Sequence, residues 1–245
     1  MKNLLIYFKR VRKELIKLLL IAVFLHFSIE IIFNRFNEIF PGAHYIGQFF
    51  SKISIAYVTS FIFYFFVVHI KSEKDKENIN EFVGHKVYDI ITSAHLLIQP
   101  LMKKKDSKAQ FSYLSYNELG ELMKLFNKYD REAPLQIADN TKANWIEWYA
   151  YLKESTQSNI KIIFTRYIHL DTKLINLLTK VENSFFVTQF HLMTDKDAPK
   201  ELSMYCVQTS AYLKIIQDLE HYAEKNFKNQ KNLKSSFYGF EHIWE

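Results

Sequence analysis

The chain has 245 residues, 49% hydrophobic and 16% aromatic, yet its mean hydropathy is only −0.13, so a strongly apolar part must be balanced by a polar remainder. Five glycines and four prolines are few for a turn-rich β architecture, and the single cysteine, Cys206, excludes an intramolecular disulfide and a cysteine-based zinc site. The net charge of +6 is unevenly spread: residues 1–70 hold eight Lys/Arg against three Asp/Glu, and residues 71–245 hold twenty-four against twenty-three.

The basicity therefore belongs to the apolar part, which favours an acidic lipid leaflet over nucleic acid as its partner. Leu4, Phe8, Val11, Leu15 and Leu18 recur at helical spacing, with Lys9, Arg10, Arg12, Lys13 and Lys17 on the other side. Residues 1–17 are thus expected to form a basic amphipathic helix on the inner membrane surface.

Two apolar runs follow, about 15–33 and 53–70. As helices each reaches about 27–28 Å, the thickness of a bilayer's hydrocarbon core. Residues 18–70 are therefore expected to form a transmembrane hairpin in contact with the lipid bilayer. Lysine and arginine cluster before the first run and after the second, with only Arg35 and Lys52 between. The positive-inside rule then puts both termini in the cytoplasm of a cell with a multi-pass inner (plasma) membrane protein. No small-residue cleavage site follows the first run, so a removed signal peptide is not expected.

Within the first run Ala22, His26, Glu30 and Asn34 are four residues apart and share a helix face. Ionisable groups at membrane depth point at protein or water, so His26, Glu30 and Asn34 form an intramembrane polar stripe facing the second span or another subunit. The connection from Asn34 to Lys52 carries a Pro41-Gly42 turn between aromatic residues, which suits the membrane interface. In the second run Ala56 and Ser60 form a small-residue pair that would let helices approach.

From residue 71 to 245 the pattern is that of a cytosolic helical domain. The second span is expected to continue as a stalk with Ile79, Val83, Val87, Ile90, Ala94 and Leu97 on one side, ending at Pro100. On its other side Glu81, His85 and Asp89 recur every four residues, which reads as a solvated stripe rather than a metal face. Lys103, Lys104 and Lys105 close this helix, favourably placed for the helix dipole and a candidate ligand or partner site. Ser115 and Glu118 read as a capping box opening a helix to about Tyr129.

Trp145, Trp148, Tyr149 and Leu152 mark one face of another helix, either core or an aromatic platform for a ligand. Ile160, Ile163, Tyr167, Leu170, Leu174, Leu177 and Val181 follow gaps of three and four, as do Leu202, Tyr205, Thr209, Tyr212, Ile216, Leu219 and Ala223. Two such seams point to a helical bundle. The tail from Asn229, with Phe237, Tyr238, Phe240 and Trp244, reads as a docked or partner-binding peptide.

The expected fold is thus all-α: an N-terminal two-helix transmembrane hairpin followed by a cytosolic helical bundle. No nucleotide, metal or nucleophile motif is present in the sequence, so neither a catalytic residue nor a cofactor or metal is expected. Helical ribonucleases of the HEPN group place a His four to six residues beyond an Arg. Arg166 and His169 depart from that spacing. The layout resembles that of small bacterial inner-membrane proteins and of some two-span effectors of bacterial immune systems, in architecture alone. A membrane-anchored binding or sensing module is the leading expectation, bound to another protein through its bundle. The alternative is a homo-oligomeric, membrane-disrupting defence effector with His26 and Glu30 facing a pore, and a HEPN-like nuclease comes third.

Overall fold

Pro41 and Gly42 start the element on which the N-terminal part is built. In the computed structural model, which describes residues 2–32, 40–138, 141–195 and 197–227, Ala43 N–H donates to Phe40 O at 3.1 Å and Gly42 lies at φ 93°, ψ −2°. These are the values of the third residue of a type II turn, where proline fixes the second position and only glycine is unstrained in the third. A helix begins immediately afterwards, α3 (Ala43–Phe63), and runs through a π-helical stretch at Tyr64–His69 into α4 (Ile70–Lys105).

This continuous helix from Ala43 to Lys105 is long and apolar enough to cross a membrane. It starts ten residues before the apolar run that marks it in the sequence, because the polar residues His44, Gln48 and Ser51 are good enough helix formers to continue the pattern back to the turn. Before it come α1 (Lys2–Lys9) and α2 (Lys13–Phe27), with a π-helical extension at Ser28–Ile32. Asn34 and the residues around it lie outside the described residues. The basic N-terminal helix is not continuous into the first apolar run: the backbone turns at Arg10–Arg12, with Arg12 at ψ 130°, and Val11 is buried against Phe61 and Phe65.

The chain divides into two compact units, Met1–Asn78 and Ile79–Glu245. In the first, α2 runs antiparallel along α3. Gly47 approaches Ile29, His26 meets Ser51, and the Tyr57 hydroxyl donates to Leu15 O at 3.2 Å. The small pair Ala56 and Ser60 is exposed; the helix contact is made by Ser51, Ser54, Phe61 and Phe65 instead.

Among its described residues the second unit has, besides helices, one short antiparallel pair, β1 (Gln136–Ala138) and β2 (Thr141–Lys142), and an isolated bridge between Asn127 and Glu201. Overall 77% of the structure is helix and 3% strand, so the protein is all-α. The remaining helices are α5 (Tyr116–Met123), α6 (Trp145–Phe164), α7 (Thr172–Glu182), the single turns α8 (Phe185–Thr188) and α9 (His191–Thr194), and α10 (Cys206–Asn226). The Ser115–Glu118 capping box opens α5, and Asn144 with Glu147 forms a second one at α6. The seam from Ile160 to Val181 is split between two helices: a 3-10 turn at Tyr167–His169 intervenes, and Asp171 caps α7 by accepting from Leu174 N–H at 2.9 Å.

The stalk does not stop at Pro100, which lies inside α4. A proline removes the hydrogen bond to the carbonyl four residues earlier, here that of Leu96. The Trp148 indole N–H from α6 donates to that carbonyl at 3.1 Å, and Tyr149 O–H donates to Leu97 O at 3.3 Å. The bundle thus supplies from another helix the donor that proline lacks. A second staple is Lys128, fully buried, whose ammonium donates to the carbonyls of Met193, Asp195 and Ala198 at 2.8, 3.2 and 3.2 Å.

Trp148→Phe should destabilise the bundle by about 2–3 kcal/mol, combining lost packing with a stranded buried carbonyl. In a Pro100→Ala background, where the backbone N–H is restored, the same change should cost about 1 kcal/mol less. Urea unfolding followed by near-UV circular dichroism measures both, and additive losses would contradict the link.

Candidate functional site

The polar side chains of the first unit gather at two places along the helical hairpin. At one, Ser51 is buried between α2 and α3 and touches both predicted ionisable residues. His26 Nδ1 lies 2.9 Å from Ser51 Oγ, and Ser51 O–H donates to Glu30 Oε1 at 2.8 Å. A carboxylate only accepts, so the one hydroxyl proton goes to Glu30 and Ser51 accepts from His26. The three groups form a hydrogen-bonded chain, His26 to Ser51 to Glu30.

The predicted stripe is bent rather than straight. Ala22 is buried and His26 half-buried, but Glu30 is exposed and Ile29 takes the inward position. The π-helical turn at Ser28–Ile32 changes the angular step between successive residues, so that Ile29 points inward and Glu30, though exposed, reaches Ser51 from the rim of the seam. Asn34 lies outside the described residues. Ser51 carries no signal of its own in the sequence, since serine on a helix is common; its position three to four residues from Gly47 and Ser54, on the face of small residues, is the only hint.

At the other place the N-terminal segment is latched to the start of α4. Arg10 pairs with Glu77 at 2.7 Å and Glu73 at 3.3 Å, Tyr7 O–H donates to Glu77 at 3.0 Å, and buried His69 bonds the Tyr7 carbonyl at 3.0 Å. Lys76 completes the network at 2.8 Å from Glu73. Of the predicted membrane-surface cations, Arg10 is therefore committed to protein carboxylates. Lys9, Arg12, Lys13 and Lys17 are exposed. Hydrogen bonding from Lys76, followed by Arg10, holds the Glu73 carboxyl below its ordinary range, and the bond that Arg10 donates to Glu77 raises the guanidinium.

In the second unit the predicted ligand residues are not brought together. Trp145 and Trp148 are buried core side chains, so they form no platform open to a ligand, because their face packs on α4 and Phe126. Lys104 is paired with Glu132 and sits 6.0 Å above the Phe126 ring. Lys105 borders a cleft of about 530 Å³ between the end of α4 and α5, where Asp106, Glu118 and Glu121 make the rim acidic rather than phosphate-binding. Asp89 pairs with Lys86 at 3.0 Å, and among the described residues no group of three side chains is arranged to hold a metal ion. A cluster not signalled by the sequence joins three elements: Tyr113 O–H donates to Glu220 at 2.7 Å, and His95 lies 3.2 Å from Tyr113 and stacks on Phe111. Burial, then Glu220, pushes the Tyr113 hydroxyl up, so it remains a donor at every physiological pH.

The chain matches no known family model, no curated protein and no solved structure. Its functional reading rests on its own residues.

The latch makes a pH-dependent feature whose sign is fixed by Glu73. The share of the Glu73 depression supplied by Arg10, as distinct from the Lys76 pair within α4, stabilises the latched state above the ordinary carboxyl value, near 4.5, and is lost as pH falls through the depressed value. Spin labels at Leu5→Cys and Lys74→Cys in the full chain should give one narrow distance at pH 7 that broadens below about pH 4.5. Arg10→Gln should broaden it already at pH 7; a distribution indifferent to both changes would contradict the latch.

Proposed function

We propose that this protein is a two-span membrane-anchored module: the α2–α3 hairpin holds it in a bacterial-type inner membrane, and the helical domain from Ile79 onward binds a partner protein on the cytoplasmic side. The observation that carries the anchor is the coat of the hairpin. Leu20, Ile21, Phe24, Phe27, Phe63 and Phe66 are all more than half exposed, with Phe24 at 73%. Water-soluble proteins do not display a continuous surface of this kind, whereas hydrocarbon solvates it without cost. The polar side chains His26, Ser51 and Tyr57 turn toward the helix seam and find partners there, as the absence of water in a bilayer demands.

The flanking charges support the direction of insertion. Exposed Lys9, Arg12, Lys13 and Lys17 lie on the side from which α1 enters, next to a second basic set at Lys71, Lys74 and Lys76. Both termini then face the cytoplasm. The exposed apolar residues of α1, Leu4, Leu5 and Ile6, suit the same inner surface.

A pore is the second reading, favoured by the exposure of Glu30 beside half-buried His26. It needs several copies to face these groups to a lumen. The two readings part on one pair of changes, His26→Leu with Glu30→Leu, in the full chain reconstituted into ion-loaded vesicles. The anchor reading expects the native chain to leak no more than about twofold over empty vesicles and the double variant to insert equally well. Leakage above ten times the empty-vesicle rate by the native chain, abolished in the variant, would replace the anchor with a pore.

A further inference from the structure

The Arg166–His169 turn, set aside as a nuclease motif, has another chemistry. Ile168 is 76% exposed and Tyr167 62%, which makes Ile168 the most exposed large hydrophobic side chain described in the helical domain. The pair is held outward by its backbone. Arg166 N–H donates to Ile163 O at 2.9 Å and Leu170 N–H to Tyr167 O at 3.0 Å, while the Asp171 cap starts α7 directly afterwards. The backbone of the turn is thus hydrogen-bonded at both ends, with Tyr167 and Ile168 exposed between them.

Around the tip the exposed charges are mainly basic: Lys161, Arg166 and Lys173. Tyr222 of α10 donates to Asp171, which keeps its charge, and brings the last turns of α10, with exposed Glu224 and Lys225, to the same end of the domain. In sequence, Lys228, Lys231 and Lys234 follow, and then Phe237, Tyr238, Phe240 and Trp244. Basic residues next to aromatic and aliphatic ones recur on both sides of this junction.

We propose that this end of the helical domain docks on an anionic lipid surface, with Tyr167 and Ile168 entering the headgroup layer and Lys161, Arg166, Lys173 and Lys225 pairing with lipid phosphates. The inference rests on the membrane anchor proposed above, which keeps the domain at high local concentration near a bilayer. Three arguments favour lipid. An apolar tip in a basic ring matches the two signals that peripheral membrane contacts need, partition and charge. Two side chains are far too little area for a stable contact with a second copy, which needs roughly 800 Å² on each side. Single-stranded nucleic acid is bound by stacking on aromatic faces, to which an aliphatic Ile168 at the tip adds nothing.

The test uses the full chain with Ile168→Cys, labelled with an environment-sensitive dye and embedded in nanodiscs of phosphatidylcholine with or without phosphatidylglycerol; Cys206 is buried. Brominated lipids report contact by quenching. Quenching should be at least about twofold stronger in the anionic discs, and should fall to the neutral-disc level at high salt or when Arg166 and Lys173 are both changed to Glu. A dye at Glu154→Cys, on exposed α6 surface, should remain unquenched. Equal quenching at 168 in both lipids, quenching that follows the number of chains per disc, or a dye response to oligonucleotide in place of lipid would each overturn the proposal. Failure of the anchor itself is distinguished because the chain would then not copurify with the discs.

Discussion

An apolar coat that water cannot solvate is the constraint from which the rest of the first unit follows. Most of the large outward residues of α2 and α3 are Leu, Ile and Phe, broken by exposed Lys52, Thr59 and Ser60 on α3, while His26, Ser51 and Tyr57 find their partners along the seam. Ser51 meets that requirement with one hydroxyl shared between His26 and Glu30, and Tyr57 does so by reaching the Leu15 carbonyl. Where α1 meets the start of α4, Arg10, Tyr7, Glu73 and Glu77 form a charged network that tolerates solvent. Exposed ion pairs of this kind contribute little stability, and their use here is to fix where α1 joins the hairpin.

The second unit meets a different constraint, a proline within the last two turns of a helix. Placing Pro100 in α4 would ordinarily end the helix or leave the Leu96 carbonyl bare. The donor arrives from Trp148, which makes the α4–α6 contact chemically specific as well as apolar. Lys128 does the same for the segment around Met193 to Ala198, collecting three carbonyls that no helix or sheet satisfies. Both staples are polar groups doing structural duty inside a core otherwise built from Leu, Ile, Val and aromatic side chains.

The helical class and the placement of the apolar segments were legible in the sequence because they depend on composition and periodicity, which are local. The capping box at Ser115 was legible for the same reason. The break at Arg10–Arg12 was not, since it depends on Val11 finding Phe61 and Phe65 some fifty residues away. The split of the long seam at Tyr167 escaped notice because a heptad pattern carries across a turn that contains neither glycine nor proline. Of the candidate site, His26 and Glu30 could be named from their spacing, but Ser51, their common partner, could not, because serine fits any helix face. The π-helical turns are likewise silent in sequence, and one of them decides that Glu30 lies outward while Ile29 lies inward. Trp145 and Trp148 show the limit of the aromatic signal: the spacing is the same for a core face and a ligand platform, and it is their burial, against Phe126 for Trp145 and with the Leu96 carbonyl for Trp148, that decides for core.

The central claim is that the hairpin crosses a bilayer with its turn on one side and its basic ends on the other. Cysteine accessibility in sealed membrane vesicles of both orientations addresses it directly, with Tyr45→Cys beside the turn and Lys9→Cys and Lys74→Cys at the basic ends, all exposed positions. A membrane-impermeant thiol reagent is expected to label position 45 from the outer side alone, and positions 9 and 74 from the inner side alone. Labelling of all three from the same side would contradict the account.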